Sequence, residues 1–232
     1  MNEIKPENFD HTCYIVGGGT SMKSFDWSLL NGKFVIAINN AYTKLPDAQI
    51  LYCTDPPWIK DHEKDLVNFT GLIYQGALNL SNPPKMDIVD KQWHLTGPHG
   101  LETLPGCLRH GSNSTYAALN MAAVHLGFKK IYLIGIDMKW GIRKNKTTSH
   151  WHSETRPHKR VDGEAVYNKM RAAYNTIKQP LLDMGVKVIN VNTPEKTDLD
   201  VFPIMSVDEV FGLNEPSKEK TIEKGDHVLT LT

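Results

Sequence analysis

The sequence predicts an α/β fold: one domain, doubly wound about a mainly parallel, Rossmann-like sheet, with a loop-rich lid. Three observations predict it. Short apolar runs recur without hydrophobic–polar alternation, the pattern of strands buried on both faces. Nearly every run ends in Gly, Asn, Thr or Asp, which places polar groups along one rim if the strands are parallel. The intervals between runs hold helical-period or loop stretches, as crossover connections require.

Residues 1–11 read as a polar N-terminal arm without the apolar stretch of a signal peptide. Residues 12–212 form the domain. The first strand, residues 13–16, runs at once into Gly17, Gly18, Gly19, Thr20 and Ser21. Three glycines let a backbone turn tightly and bring N–H groups close to a phosphate, yet they serve a plain tight turn equally well. Neither GxGxxG nor a Walker GK[ST] is satisfied, since Met22 stands three positions after Gly19. Residues 34–38 form a second strand ending in Asn39 and Asn40, and residues 49–53 a third ending in Thr54 and Asp55. Pro56 and Pro57 bar that strand from continuing. Residues 72–74 and 93–95 read as further short strands, and residues 76–106 otherwise as long loops over or beside a site.

The stretch GSNSTYAALNMAAVHLGFKKIYLIGIDM is the centre of the fold. Ser112, Asn113 and Ser114 suit an N-cap, residues 116–126 an almost wholly buried helix, and Gly127 its left-handed stop. Residues 131–136 then form a central strand that delivers Asp137 to its carboxyl end, where open α/β sheets place ligands. A polar connection follows, carrying Trp140, His150, Trp151, His152 and His158. Residues 165–184 have helical spacing, with Pro180 able to kink or end the helix. Residues 186–191 form the last strand, entering Asn192. Residues 213–232 lack a core pattern and read as a flexible charged tail.

Lys plus Arg and Asp plus Glu are both 26, so the chain lacks the global basic field of a general nucleic-acid binder. Cys13, Cys53 and Cys107 show no CxxC spacing, which argues against a disulfide framework or zinc knuckle and for a reducing, cytoplasmic setting. No stretch approaches the ~20 apolar residues of a membrane span. His125, on the apolar helix, is expected to be a core histidine. His150 and His152 have H-x-H spacing, but without an identified third ligand no metal site is assigned.

The segment IVGGGTSMKSFDWSLLNGKFVIAIN resembles the opening of the MptE-like proteins, the 6-hydroxymethylpterin diphosphokinase-like family, which includes phage relatives. It equally resembles the small bacterial sialyltransferases that modify lipooligosaccharide. The block LGFKKIYLIGIDM is the second and more specific match. The resemblance implies that Gly17, Gly18, Gly19 and Ser21 hold the phosphate side of a nucleotide. It implies that Asn39 and Ser112, Asn113 and Ser114 meet the donor, and that a His of the polar connection is the general base. Asp55 stands where the sialyltransferases have Asn before Pro, and Thr20 where they have Pro. The tyrosines that hold their donor phosphate have no counterpart here, which argues against CMP-sialic acid as donor.

The function expected is that of a nucleotide-dependent transferase, a glycosyltransferase using a nucleotide-sugar and a hydroxyl acceptor that is a glycan, nucleobase or metabolite. Its base is His152, with His150 as the fallback and Asp137 orienting the site. An imidazole near a pKa of ~6.5 accepts a proton readily at neutral pH. No DxD motif stands in a convincing place, so this reading requires no metal. Two alternatives remain open. One is a magnesium-dependent pyrophosphokinase acting on a pterin-like alcohol, in which Asp55 and Asp137 serve the metal. The other is a non-catalytic phage nucleotide-binding protein. Homo-oligomerisation is left open.

Overall fold

The computed structural model describes residues 4–78, 86–139, 150–151 and 163–213. Among them nine strands form one sheet, and every pairing is parallel. The strands are β1 (Thr12–Val16), β2 (Val35–Ile38), β3 (Ile50–Cys53), β4 (Leu72–Ala77), β5 (Lys91–Gly97), β6 (Cys107–Arg109), β7 (Lys130–Ile134), β8 (Lys187–Val191) and β9 (Ile204–Met205). Their order is β6-β5-β4-β3-β2-β1-β7-β8-β9. The chain lays five further strands outward from β1, crosses back through a helix, and starts again on the other side of β1. The doubly wound reading therefore holds, and the reversal falls between β1 and β7, both of which run into glycine.

The central strands are apolar on both faces because both faces are covered. On one face Cys13, Ile15, Ile36 and Tyr52 pack against α2 (Ser114–Asn120), α3 (Gly163–Asn175) and α4 (Lys178–Asp183). On the other, Tyr14, Val16, Leu51 and Cys53 pack against α1 (Pro56–Leu66), with α5 (Val207–Phe211) at its margin. All seven residues of α2 are buried, as its unbroken apolar character requires.

Several boundaries differ from the sequence expectation. β7 ends at Ile134, not at residue 136, because Gly135 takes a left-handed φ of 70°. β5 spans seven residues within a stretch expected to be mostly loop, and α1, β6 and β9 were not expected at all. The single helix over 165–184 is two, α3 and α4. The break at Thr176 and Ile177 has a direct cause: Pro180 offers no N–H to the carbonyl of Thr176, four residues back, and its ring would strike that carbonyl. The helical chain after α2 continues as one π-turn, Met121–His125, and stops at Gly127, whose φ is 78°. The tail over 214–232 lies outside the described residues.

Candidate functional site

The crevice at the carboxyl ends of β1 and β7 is the topological switch point, where open parallel sheets take their ligands. Its two walls are laced together. Gly17 N donates to Ile134 O and Gly19 N to Gly135 O, both at 2.8 Å, so the glycine loop runs along the continuation of β7. Such proximity forbids side chains. A Cβ on Gly17 would lie 2.4 Å from Ile136 Cδ1, and one on Gly19 would lie 2.5 Å from Asp137 Cγ.

Asp137, 5% exposed, is the fastening. Its Oδ1 accepts from Ser21 Oγ at 2.6 Å and Asn192 Nδ2 at 3.0 Å; its Oδ2 accepts from Ser21 N at 2.9 Å and Thr20 Oγ1 at 3.3 Å. This carboxylate binds the β1 loop to the end of β8, and its lone pairs serve that purpose. Asn192, a participant without an assigned role in the sequence reading, closes the set.

The polar connection returns onto the same loop. Trp151 N donates to Gly18 O at 2.9 Å, and His150 forms an antiparallel bridge with Gly19. The Trp151 ring meets Trp27 edge-on, with centroids 5.5 Å apart. His150 and Asp137 thus flank Gly19. His152 and His158 lie outside the described residues.

A second group gathers at the ends of β2 and β3, beneath the start of α2. Asn39 has a left-handed φ of 49°, and its Oδ1 is buried with no partner among the described residues. The Thr54 and Ser114 hydroxyls are bonded at 2.8 Å. Asp55 stands at the N-cap of α1 without a side-chain capping bond, and Pro56 and Pro57 leave the helix start poor in N–H donors. That helix end is therefore unsuited to a phosphate. Asn113 does cap α2: its Oδ1 accepts from Tyr116 N at 2.9 Å and Tyr174 Oη at 3.1 Å. Ser112, with a φ of 60°, donates its N–H to His110 Nδ1 at 3.0 Å.

The structure accordingly gathers the expected residues into two neighbouring groups on one rim. Gly17, Gly18, Gly19, Ser21, Asp137 and His150 form one. Asn39, Asp55, Ser112, Asn113 and Ser114 belong to the other. Among the described residues no group of three His, Cys, Asp or Glu side chains could hold a metal ion, and no helix is long and apolar enough to cross a membrane. His125, expected in the core, is half-buried instead: it sits 5.0 Å from the buried Trp93 ring, its Nε2 has no partner among the described residues, and burial lowers its pKa.

No protein-family model matches this chain, and no curated protein matches it. A solved structure of similar fold is the monofunctional alpha-2,3-sialyltransferase Cst-I from Campylobacter jejuni. The two superpose with a TM-score of 0.51 at 16% sequence identity, over 88% of this chain and 83% of that one. At that identity the likeness is one of fold.

Proposed function

We propose that the chain is a nucleotide-dependent transferase, a glycosyltransferase that moves a sugar from a nucleotide-sugar to a hydroxyl acceptor. The observation that carries the reading is the switch-point crevice, where His150 and Trp151 are fastened onto the glycine loop beside Asp137. The sialyltransferase-like fold supports the same class. The donor lies across the rim between the glycine loop and the start of α2, its phosphate toward Gly18 and its sugar toward Asn39, Thr54 and Ser114. Because Gly17, Gly19 and Ser21 give their N–H groups to the protein, the loop supplies the phosphate with shape more than with donors. Asp137 acts by holding that shape. The base that takes the acceptor proton is His152, two residues beyond the fastened His150, with His150 itself the second candidate.

The test is a panel of nucleotides and nucleotide-sugars read by thermal shift, followed by calorimetry on any hit, since a bound donor stabilises by mass action. Gly18→Val should weaken that binding and leave the fold intact; unchanged affinity would remove the phosphate placement. Once a donor is found, His150→Ala, His152→Ala and His158→Ala are compared in turnover. Loss of a general base costs ~100- to 10,000-fold in rate while the donor still binds. Near-normal turnover in His152→Ala would hand the role to another residue. Loss of activity on chelation would favour the pterin diphosphokinase-like alternative.

A further inference from the structure

The rim has a third corner, beyond β4, that adjoins the second group at Ser112, whose N–H is bonded to His110. β6 ends at Arg109, and His110 follows it. Both are set by Gly97 at the end of β5. His110 N donates to Gly97 O at 2.8 Å, and a Cβ on Gly97 would stand 2.8 Å from Arg109 Nη1. The missing side chain is therefore what lets the guanidinium lie there. Glu102 holds the inner end of Arg109, with Oε2 3.4 Å from Nε in an ion pair without hydrogen-bond geometry. That carboxylate is otherwise engaged by Thr96 Oγ1 and the N–H groups of Thr103 and Leu104. The outer nitrogens of Arg109 find no hydrogen-bond partner among the described residues, and its side chain is 35% exposed.

His110 adds a donor of fixed direction. Its Nδ1 accepts the Ser112 N–H, so that nitrogen carries no proton and the ring proton sits on Nε2. Burial, the Arg109 charge and the nearby His99 all lower the His110 pKa, which keeps the ring in this neutral form. Nε2 has no partner among the described residues. One guanidinium, whose inner nitrogen alone faces Glu102, and one oriented imidazole N–H thus stand on consecutive residues with outer donors left over.

We propose that Arg109 and His110 form an anion-binding corner that takes a phosphate or carboxylate group carried by the acceptor. Three strand spacings separate the end of β6 from that of β3, ~14 Å at the usual interval, so the corner lies past the span assigned to the donor. Its guanidinium can meet two anion oxygens at once, and the His110 N–H a third. That the anion belongs to the acceptor rests on the transferase reading. That the corner binds an anion does not.

The experiment is an NMR titration of the full chain with inorganic phosphate and, separately, D-glucuronate, with D-glucose as the uncharged control. Saturable shifts of the Arg109 Nε–H and of the His110 ring signals are expected with an anion and not with glucose, and the tighter probe identifies the anion class. Arg109→Gln keeps a polar partner for Glu102 but removes the charge. His110→Asn keeps an acceptor for Ser112 N but removes the outer N–H. Each should weaken anion binding about tenfold, the loss of one charge-assisted bond, while Gly18→Val should leave it unchanged. If Arg109→Gln does not fold, Arg109→Lys, which keeps the charge but loses the second outer nitrogen, and His110→Asn carry the comparison. Absence of saturable shifts with both anions, equal shifts with glucose, or undiminished binding in the folded corner variants would overturn the proposal. Because Gly18→Val tests the donor placement separately, failure of one reading is distinguishable from failure of the other.

Discussion

Asp137→Asn is the most direct perturbation of the fastening between β1 and β7. The carboxylate receives four donors, two on each oxygen. An amide replaces one oxygen with an NH2 group, which must face donors on whichever side it is placed. Ser21 N is backbone and cannot turn away, so the surviving oxygen stays with it. The new NH2 then meets Ser21 Oγ, which can rotate to accept, and Asn192 Nδ2, which cannot. Turning over the Asn192 amide would cost the bond its own Oδ1 accepts from Thr193 N at 2.9 Å. One charge-assisted bond is lost, at ~1.5–3 kcal/mol, and those remaining fall toward the strength of neutral bonds. We expect a destabilisation of about 3 kcal/mol, an appreciable part of the ~5–15 kcal/mol available to a domain. Equilibrium unfolding in urea measures it. Amide exchange supplies a second reading, in which Ser21 N–H loses protection while the β2 and β3 amides keep theirs. A loss under ~1 kcal/mol with Ser21 still protected would refute the role given to Asp137.

Gly76→Ala would set a Cβ 2.4 Å from Tyr52 Oη and should cost ~1–3 kcal/mol. Tyr52→Phe removes a buried hydroxyl that has no partner among the described residues, and should be neutral or stabilising. The double variant should then recover part of the Gly76→Ala loss, since Leu95 and Thr54 still stand 3.0 Å from the new Cβ, whereas additive effects in a double-mutant cycle would deny the Tyr52 contact. Tyr14 has its pKa pushed up from 10 to about 12, first by burial and then by Tyr132 and Cys13. The unfolded chain therefore releases this proton before the folded one, and stability should fall between pH 10 and about 12, by at most ~1.4 kcal/mol per pH unit for this group. Tyr14→Phe should flatten that fall in urea midpoints measured across the range, and an unaltered slope would remove Tyr14 as its source.

The strands were legible in the sequence where burial on both faces makes a run of apolar residues unambiguous. Residues 13–16, 49–53 and 186–191 are of this kind, and each became a strand. α1 was not legible because only Trp58, Ile59 and Leu66 of its eleven residues are buried, so its polar majority masks the helical period. Its Asp-Pro-Pro opening reads as a strand stop, though Pro is equally at home in a helix's first turn. β6 and β9 have three and two residues, too few for any period to show. The positions of Asn39, Asp55 and Asp137 at strand ends followed from the pattern alone. The use made of Asp137 did not, since its Ser21 partner lies 116 residues away and no local feature joins them.

The glycine loop shows why a motif can be read correctly for conformation and still leave its chemistry open. Three successive glycines announce a backbone that approaches something closely, and the sequence cannot say what. In the fold the close neighbours of Gly17 and Gly19 are Ile136 and Asp137, and the loop N–H groups point into β7 and its carboxylate. A ligand at this crevice therefore meets a surface whose geometry is fixed before it arrives, with few donors to spare. The cation for an anionic group must come from elsewhere on the rim. At the ends of β3 and β7 Asp55 and Asp137 are acidic, while Lys139, two residues beyond Asp137, pairs with Asp198, and Arg171, which donates to Met138 O, pairs with Glu164 and Asp198. Arg109, at the end of β6, has the opposite charge and unspent donors. In the proposed reading the phosphate at Gly18 is held by shape, and Arg109 offers its charge to a second anionic group farther along the rim.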